Sequence, residues 1–285
     1  MKTILVPTDF SDCAINALKF AASIAKKTGA SINLLHVLEV PELGPQGSKA
    51  HTSEDVPYML NLLKLIKTRM KKMVALPFLK SIKTLHNVEV GNVNDQILAA
   101  AKKHKADIII MGTHGASGFQ EVFIGSNAEK IARNSLIPVI SVKEEVKESK
   151  IDKIIYATDF SEETELIFPE VEKIASLLGS KIEIVKVITM LSFETSSKTL
   201  ADIKRFKEKF KNGNYTITTY YEWNKQAGIR NFADSVNADM IALGVHGRRG
   251  LSDFFNRNIA ENLVNHSMLP VLTVNKNRDS FEKNY

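Results

Sequence analysis

The chain has 285 residues, 44% of them hydrophobic and 25% charged, with 14 Gly, 8 Pro and a single Cys. That balance suits a soluble globular protein of two domains at ~150 residues each, and excludes disorder, collagen-like repeats and a disulfide scaffold. The net charge of +6 lies wholly in residues 1–142, with 17 Lys/Arg against 11 Asp/Glu, whereas residues 151–285 carry 18 of each. No apolar run approaches the roughly 20 residues of a membrane span. The first residues, Met1–Pro7, meet Asp9 and Asp12 too soon for a signal peptide. Lone Cys13 leaves no internal disulfide or cysteine zinc site, so a reducing cytoplasm is the expected compartment.

In chain order, apolar β-branched runs predict strands at 2–6, 32–38, 83–90, 107–111 and 138–142. Amphipathic stretches between them predict helices at 11–28, 57–76, 93–104 and 126–134. Ser11 and Asn94 suit N-caps, Gly29 a C-cap and Pro57 a first helical turn. The basic residues gather at Lys64, Lys67, Arg69, Lys71, Lys72, Lys80 and Lys83, with a second group at Lys102, Lys103 and Lys105. Such a field attracts an anionic ligand or nucleic acid. Interleaved Leu62, Leu65, Ile66, Met70 and Met73 favour the plainer reading, a solvated helix face. Aromatic residues are sparse around these lysines, which makes a nucleic-acid surface the weaker expectation.

The chain is written twice. Thr8-Asp9-Phe10-Ser11 recurs as Thr158-Asp159-Phe160-Ser161, and Met111–Val142 aligned without gaps to Leu243–Val274 gives 11 identities in 32 positions. Strands are therefore expected again at 153–157, 182–189, 215–222, 239–243 and 270–274, with a second helix near 198–211. The offset falls from 150 to 132 residues, so the second copy lacks 18 residues in its middle. The expected domains are 1–142 and 151–276, joined by a charged, Gly-free linker at 143–150 and followed by a tail at 277–285. Unbroken apolar runs such as Ile108-Ile109-Ile110-Met111 fit a sheet covered on both faces. Strands alternating with helices imply an α/β fold of two tandem doubly wound parallel sheets, for which the expected strand order is 3-2-1-4-5. The fifth strands, Pro138–Val142 and Pro270–Val274, are apolar edges that need cover, so the halves are expected to pack through them as an internal pseudo-dimer. Any further homodimer then uses another surface.

Ligands of such sheets bind beyond the carboxyl ends of the strands where the winding reverses, here between strands 1 and 4. Pro7-Thr8-Asp9 follows strand 1, and Gly112-Thr113-His114-Gly115 follows strand 4. After nine intervening residues, Gly125-Ser126-Asn127 follow Gly115 and open a helix. Glycines and a helix N-terminus suit phosphate, while a carboxylate suits ribose hydroxyls. With Leu35-His36-Val37 and Pro138-Val139, these motifs make nearly the whole chain resemble the universal stress protein family, specifically its tandem members. That resemblance implies an adenine nucleotide alpha hydrolase-like fold and a role in the stress response. It also implies ATP, with Mg2+ held mainly by the phosphates, as a regulatory or sensing ligand. Carried over, the ligand residues are Pro7, Thr8, Asp9, Val37, Met111, Gly112, Gly115, Gly125, Ser126 and Asn127.

The second copy keeps Asp159 and Gly244-Val245-His246-Gly247, but Arg257-Asn258 stand where Gly125-Ser126 do. Either Arg257 fills the phosphate site, or it holds another anion with Arg248 and Arg249; a degenerate site kept for its fold is favoured. His114 and His246 read as turn residues, His36 as a satisfied core histidine and Cys13 as a small buried residue. No positioned acid–base pair is evident, so no catalytic or metal-ligating residue is assigned. A slow adenine-nucleotide hydrolase and a ligand-independent scaffold are the alternatives to a nucleotide-binding regulator. The protein partner is not legible.

Overall fold

A computed structural model describes residues 1–39, 55–113, 127–146, 150–245 and 257–275. The first half runs β1 (Thr3–Pro7), α1 (Asp12–Thr28), β2 (Ser31–Leu38), α2 (Asp55–Val74), β3 (Thr84–Val90), α3 (Val93–Lys103), β4 (Ile108–Gly112), α4 (Asn127–Asn134) and β5 (Val139–Val142). The second repeats it as β6 (Lys153–Ala157), α5 (Glu162–Leu178), β7 (Lys181–Ile188), α6 (Ser196–Lys209), β8 (Tyr215–Tyr221), α7 (Lys225–Ser235), β9 (Met240–Val245), α8 (Arg257–His266) and β10 (Val271–Asn275). Two 3₁₀ turns, Pro77–Leu79 and Met190–Ser192, are additions that the hydrophobic pattern did not announce.

Local chemistry sets the helix ends. The Ser11 hydroxyl accepts from the Ala14 N–H, and Gly29 closes α1 in the left-handed region at φ 71°. Ser161 and Gly179 do the same for α5. The N-cap of α3 is Asn92 rather than Asn94, because the Asn92 side chain already accepts from the N–H groups of Asn94 and Asp95. Small residues on α1, among them Ala14, Ala17, Ala21 and Ala25, are buried and let the helix lie close to the sheet.

All ten strands form one sheet of order β3-β2-β1-β4-β5-β10-β9-β6-β7-β8. Within each half every pairing is parallel, in the expected order 3-2-1-4-5. The halves meet where β5 pairs antiparallel with β10, Ile140 opposite Leu272 and Val139 opposite Thr273. The two apolar strands singled out in the sequence thus cover each other's backbone. One face of the sheet packs α1, α2, α5 and α6 around Leu18, Met70, Phe168 and Phe206. The other packs α3, α4, α7 and α8 around Ile97, Ile131, Phe232 and Leu263. Polar ties reinforce the junction: Asn275 Nδ2 donates to the Arg133 carbonyl at 2.8 Å, and Lys27 donates to the Leu178 carbonyl.

Candidate functional site

The crevice between β1 and β4 is built first by the turn after β1. Thr8 is buried; its Oγ1 accepts from the Phe10 N–H at 3.1 Å and donates to Met73 Sδ at 3.7 Å. Asp9 Oδ1 accepts from the Ser11 N–H at 3.0 Å. These bonds hold Phe10 at φ 69°, a strained value for a residue with a Cβ. The turn keeps the Asp9 carboxylate exposed at the mouth of the crevice, directly before the N-terminus of α1.

Behind it lies His36 of β2, whose Nδ1–H donates to the Thr8 carbonyl at 2.8 Å and whose ring stacks on Phe10 at 4.6 Å. Burial pushes the His36 pKa below its usual value, outweighing the Thr8 bond and the Asp9 charge that raise it. Burial thus favours the neutral imidazole. The Arg69 guanidinium of α2 sits 5.6 Å from the Phe10 ring centroid, close enough for its charge to be felt at His36. Sequence reasoning counted Arg69 with the solvated lysines; only the docking of α2 brings it to this turn. Val37, next along β2, is half-buried and pairs in register with Glu89.

Across the crevice, Met111 is buried and Gly112 ends β4. A Cβ on Gly112 would stand 2.7 Å from the Cys13 carbonyl carbon and 2.9 Å from the Ala14 nitrogen. Glycine is therefore demanded here by the approach of α1, whatever else it does. At the start of α4, exposed Asn127 accepts from Asn94 Nδ2 at 3.2 Å, and Asn94 Oδ1 is buried with no hydrogen-bond donor. His114, Gly115, Gly125 and Ser126 lie outside the described residues, as do the expected cover at 41–48 and the second loop with His246, Gly247, Arg248 and Arg249. The backbone of Arg257 begins α8.

The second copy repeats the turn but lines it differently on the β7 side. Thr158 Oγ1 accepts from the Phe160 N–H at 3.0 Å, Asp159 Oδ1 from the Ser161 N–H at 2.9 Å, and Phe160 has φ 60°. At the position of His36, however, stands Lys186, only 3% exposed, its ammonium 2.7 Å from Glu194 and 3.4 Å from Asp202. Arg205 bridges Asp202 and Glu165 and donates to the Phe160 carbonyl at 2.6 Å. Its pKa is raised: these carboxylates outweigh a desolvation that acts the other way. Val187, the counterpart of Val37, is 1% exposed. It lies under α7, where a Cβ on Gly228 would meet Val187 Cγ1 at 2.5 Å. The residues lining this side of the second crevice are thus bonded to one another. Among the described residues no group of three or more His, Cys, Asp and Glu is placed to hold a metal, and no helix is long and apolar enough to cross a membrane.

Comparison with known proteins places this architecture. The universal stress protein family model matches twice, over residues 1–143 and 150–275. A universal stress protein of Methanocaldococcus jannaschii is 34% identical over 151 residues, 52% of this chain and 85% of that protein. One from Synechocystis is 25% identical over 289 residues, covering 96% of this chain and 99% of its own. The crystal structure of a universal stress protein from Archaeoglobus fulgidus superposes with a TM-score of 0.72 at 20% identity, covering 96% of this chain and 98% of that one. This chain belongs to the universal stress protein family, as a tandem member with two copies of the domain.

Proposed function

We propose that the N-terminal half binds one adenine nucleotide, ATP with Mg2+ carried on its phosphates, as a regulatory ligand in a cytoplasmic stress response. The C-terminal half serves as its structural counterpart. The observation that carries this reading is the contrast between the two crevices: Val37 is half-buried beside an exposed Asp9, while Val187 is sealed under Gly228 and flanked by the Lys186–Glu194–Asp202 cluster. In the family's manner, Asp9 takes the ribose hydroxyls, the backbone at Val37 the adenine edge, and Gly112, Gly115, Gly125, Ser126 and Asn127 the phosphates. Pro7, Thr8 and Met111 complete the lining. The described residues fit such a ligand: Asp9 and the unmet Asn94 Oδ1 are acceptors suited to hydroxyls or metal-bound water, and Asn127 stands at a helix N-terminus, where negative charge is favoured. No residue is given a catalytic role.

Titration calorimetry of the full chain with MgATP is expected to give a stoichiometry near one. Asp9→Ala and Gly125→Arg abolish the heat, and Asp159→Ala leaves it unchanged. Two equivalent sites, or loss on changing Asp159 alone, overturns the assignment.

A further inference from the structure

The axis that relates the two halves passes through the β5–β10 pairing, where Ile140 faces Leu272, its own counterpart in the repeat. On one side of the sheet α4 and α8 pack against each other across that axis. Ala128-Glu129 of α4 recurs as Ala260-Glu261 of α8, so the repeat brings two equivalent carboxyls together. Glu129 is 5% exposed, and its side chain is hydrogen-bonded to that of Glu261. An ionised carboxylate only accepts, so a bond between two carboxyls needs a proton on one of them.

The surroundings supply one counter-charge for the pair, not two. Arg133, one turn on from Glu129, places its Nη1 3.6 Å from Glu261 Oε1. The repeat puts Asn265 where a second arginine would balance the other carboxyl, and the Asn265 side chain bonds Glu129 without charge. Beneath the two helices, β5 and β10 contain no ionisable residue. From α3, Ile97, Ala100 and Ala101 enter this layer. Lys130 of α4 and His266 of α8 are exposed. Burial first, then the charge of Glu261 and the bond to it, hold the Glu129 pKa above its usual value.

The pair also lies at the phosphate end of the proposed nucleotide site. Glu129 is in the first turn of α4, two residues after Asn127. Two residues of helix rise ~3 Å along the axis, so a charge on Glu129 acts within about one Debye length of a phosphate held at Asn127. Both anions draw on the field of the same helix N-terminus, which is confined to that first turn. We propose that Glu129 and Glu261 share one proton across the junction, and that phosphates bound at the start of α4 draw a proton from solvent onto this pair. This regulation rests on the nucleotide reading above. A ligand that raises the proton affinity of a group is itself bound more tightly by the protonated form. Binding in the first half is therefore tightest when the pair holds its proton and weakens as pH rises through the pair's titration. The second half, through Glu261, sets where that happens.

Titration calorimetry of the full chain with MgATP, between about pH 5 and 8 in paired buffers of different ionisation heat, counts the protons taken up on binding. The wild type is expected to take up a fraction of a proton more than Glu129→Gln, which reports the nucleotide's own titration. Wild-type affinity is expected to fall by up to about tenfold towards high pH, the equivalent of one pKa unit. Glu129→Gln keeps the tight affinity throughout. Glu261→Gln, whose amide donates to an ionised Glu129, moves the fall to lower pH. Equal proton uptake in wild type and Glu129→Gln overturns the coupling and leaves the nucleotide site standing, as does a change in affinity that is the same at every pH. Absence of MgATP heat at every pH overturns both.

Discussion

Replacing Gly112 by alanine tests whether the approach of α1 to β4 sets the geometry of the crevice. The added Cβ would lie 2.7, 2.8 and 2.9 Å from the carbonyl carbon and oxygen of Cys13 and the nitrogen of Ala14. All three are backbone atoms inside the first turn of α1, so no rotamer change relieves the contact. The helix has to move out by roughly half an ångström or more to restore van der Waals distance. Overpacking of this kind costs about 1–3 kcal/mol. The repeat supplies its own control. A Cβ on Gly244 would meet Ile167 Cδ1 at 2.4 Å, but its next contact is Cγ1 of the same side chain at 3.7 Å. Swinging that terminal methyl aside costs about 0.5–1.5 kcal/mol. Gly112→Ala is therefore expected to lose about 1–2 kcal/mol more than Gly244→Ala in urea unfolding of the full chain. On the proposed function it is also expected to weaken ATP binding, because the displaced turn of α1 follows Asp9 directly. If the two substitutions cost the same, the close approach is not what fixes glycine at position 112.

Three other outcomes are open to measurement. At the junction, buried Glu129 of α4 is held above its usual pKa by burial first, then by the charge of Glu261 on α8 and a hydrogen bond to it, with Asn265 and Arg133 opposing. A raised folded-state pKa stabilises below the unfolded value of about 4.3, and that stability is lost as pH rises through the folded value. Glu129→Gln is thus expected to match the wild type in acid and exceed it by about 1 kcal/mol at neutral pH; a pH-independent difference in urea titrations removes the shared proton from the account. Lys186→Met takes the buried ammonium from Glu194 and Asp202, leaving them to Lys198 and Arg205, and is expected to cost about 2 kcal/mol, whereas Lys186→Met/Glu194→Gln/Asp202→Asn recovers part of it; equal losses refute the cluster's role. Burial holds the His36 pKa below its usual value, so on the proposed function His36→Asn is expected to remove no step from the pH profile of ATP binding above about pH 6.5, and a step there that the substitution does remove shows that His36 titrates in that range.

The fold was legible because its signals were redundant. A run such as Ile108-Ile109-Ile110-Met111 is apolar at every position, which only a strand covered on both faces requires, and the same run recurs as Met240-Ile241-Ala242-Leu243. Two copies of one pattern constrain each other, so two doubly wound parallel sheets followed from the winding rules, which by themselves allow more than one strand order. Where two residues offered the same chemistry, the pattern had no means to choose. Asn92 and Asn94 both suit an N-cap, and the structure uses the one whose oxygen reaches two backbone N–H groups. The Pro77–Leu79 turn has no periodicity to announce it.

The candidate site was legible where it rests on backbone and less so where it rests on docking. Arg69 belongs by sequence to a row of helix cations; its place over Phe10 depends on how α2 rotates onto β2 and β3, which a helical period leaves free. The different lining of the second crevice, by contrast, left a visible trace. Lys186 stands in Ile184-Val185-Lys186-Val187, a strand run buried on both faces, and an ammonium there survives only with carboxylates brought to it. Glu194 and Asp202 lie within the segment shortened by the 18-residue deletion, so the shorter connection is what carries the counter-charges over the crevice. Gly228 acts in the same direction from the other face, letting α7 settle on Val187 where the first copy has Gln96. Arg257 was the feature that suggested asymmetry in the sequence, yet the described residues place a separate cause at the far end of the crevice. On the proposed function, restoring Gly-Ser at 257 and 258 is therefore expected to be insufficient by itself to give the second copy a nucleotide site, because Lys186 and its partners still fill the side where a base would lie.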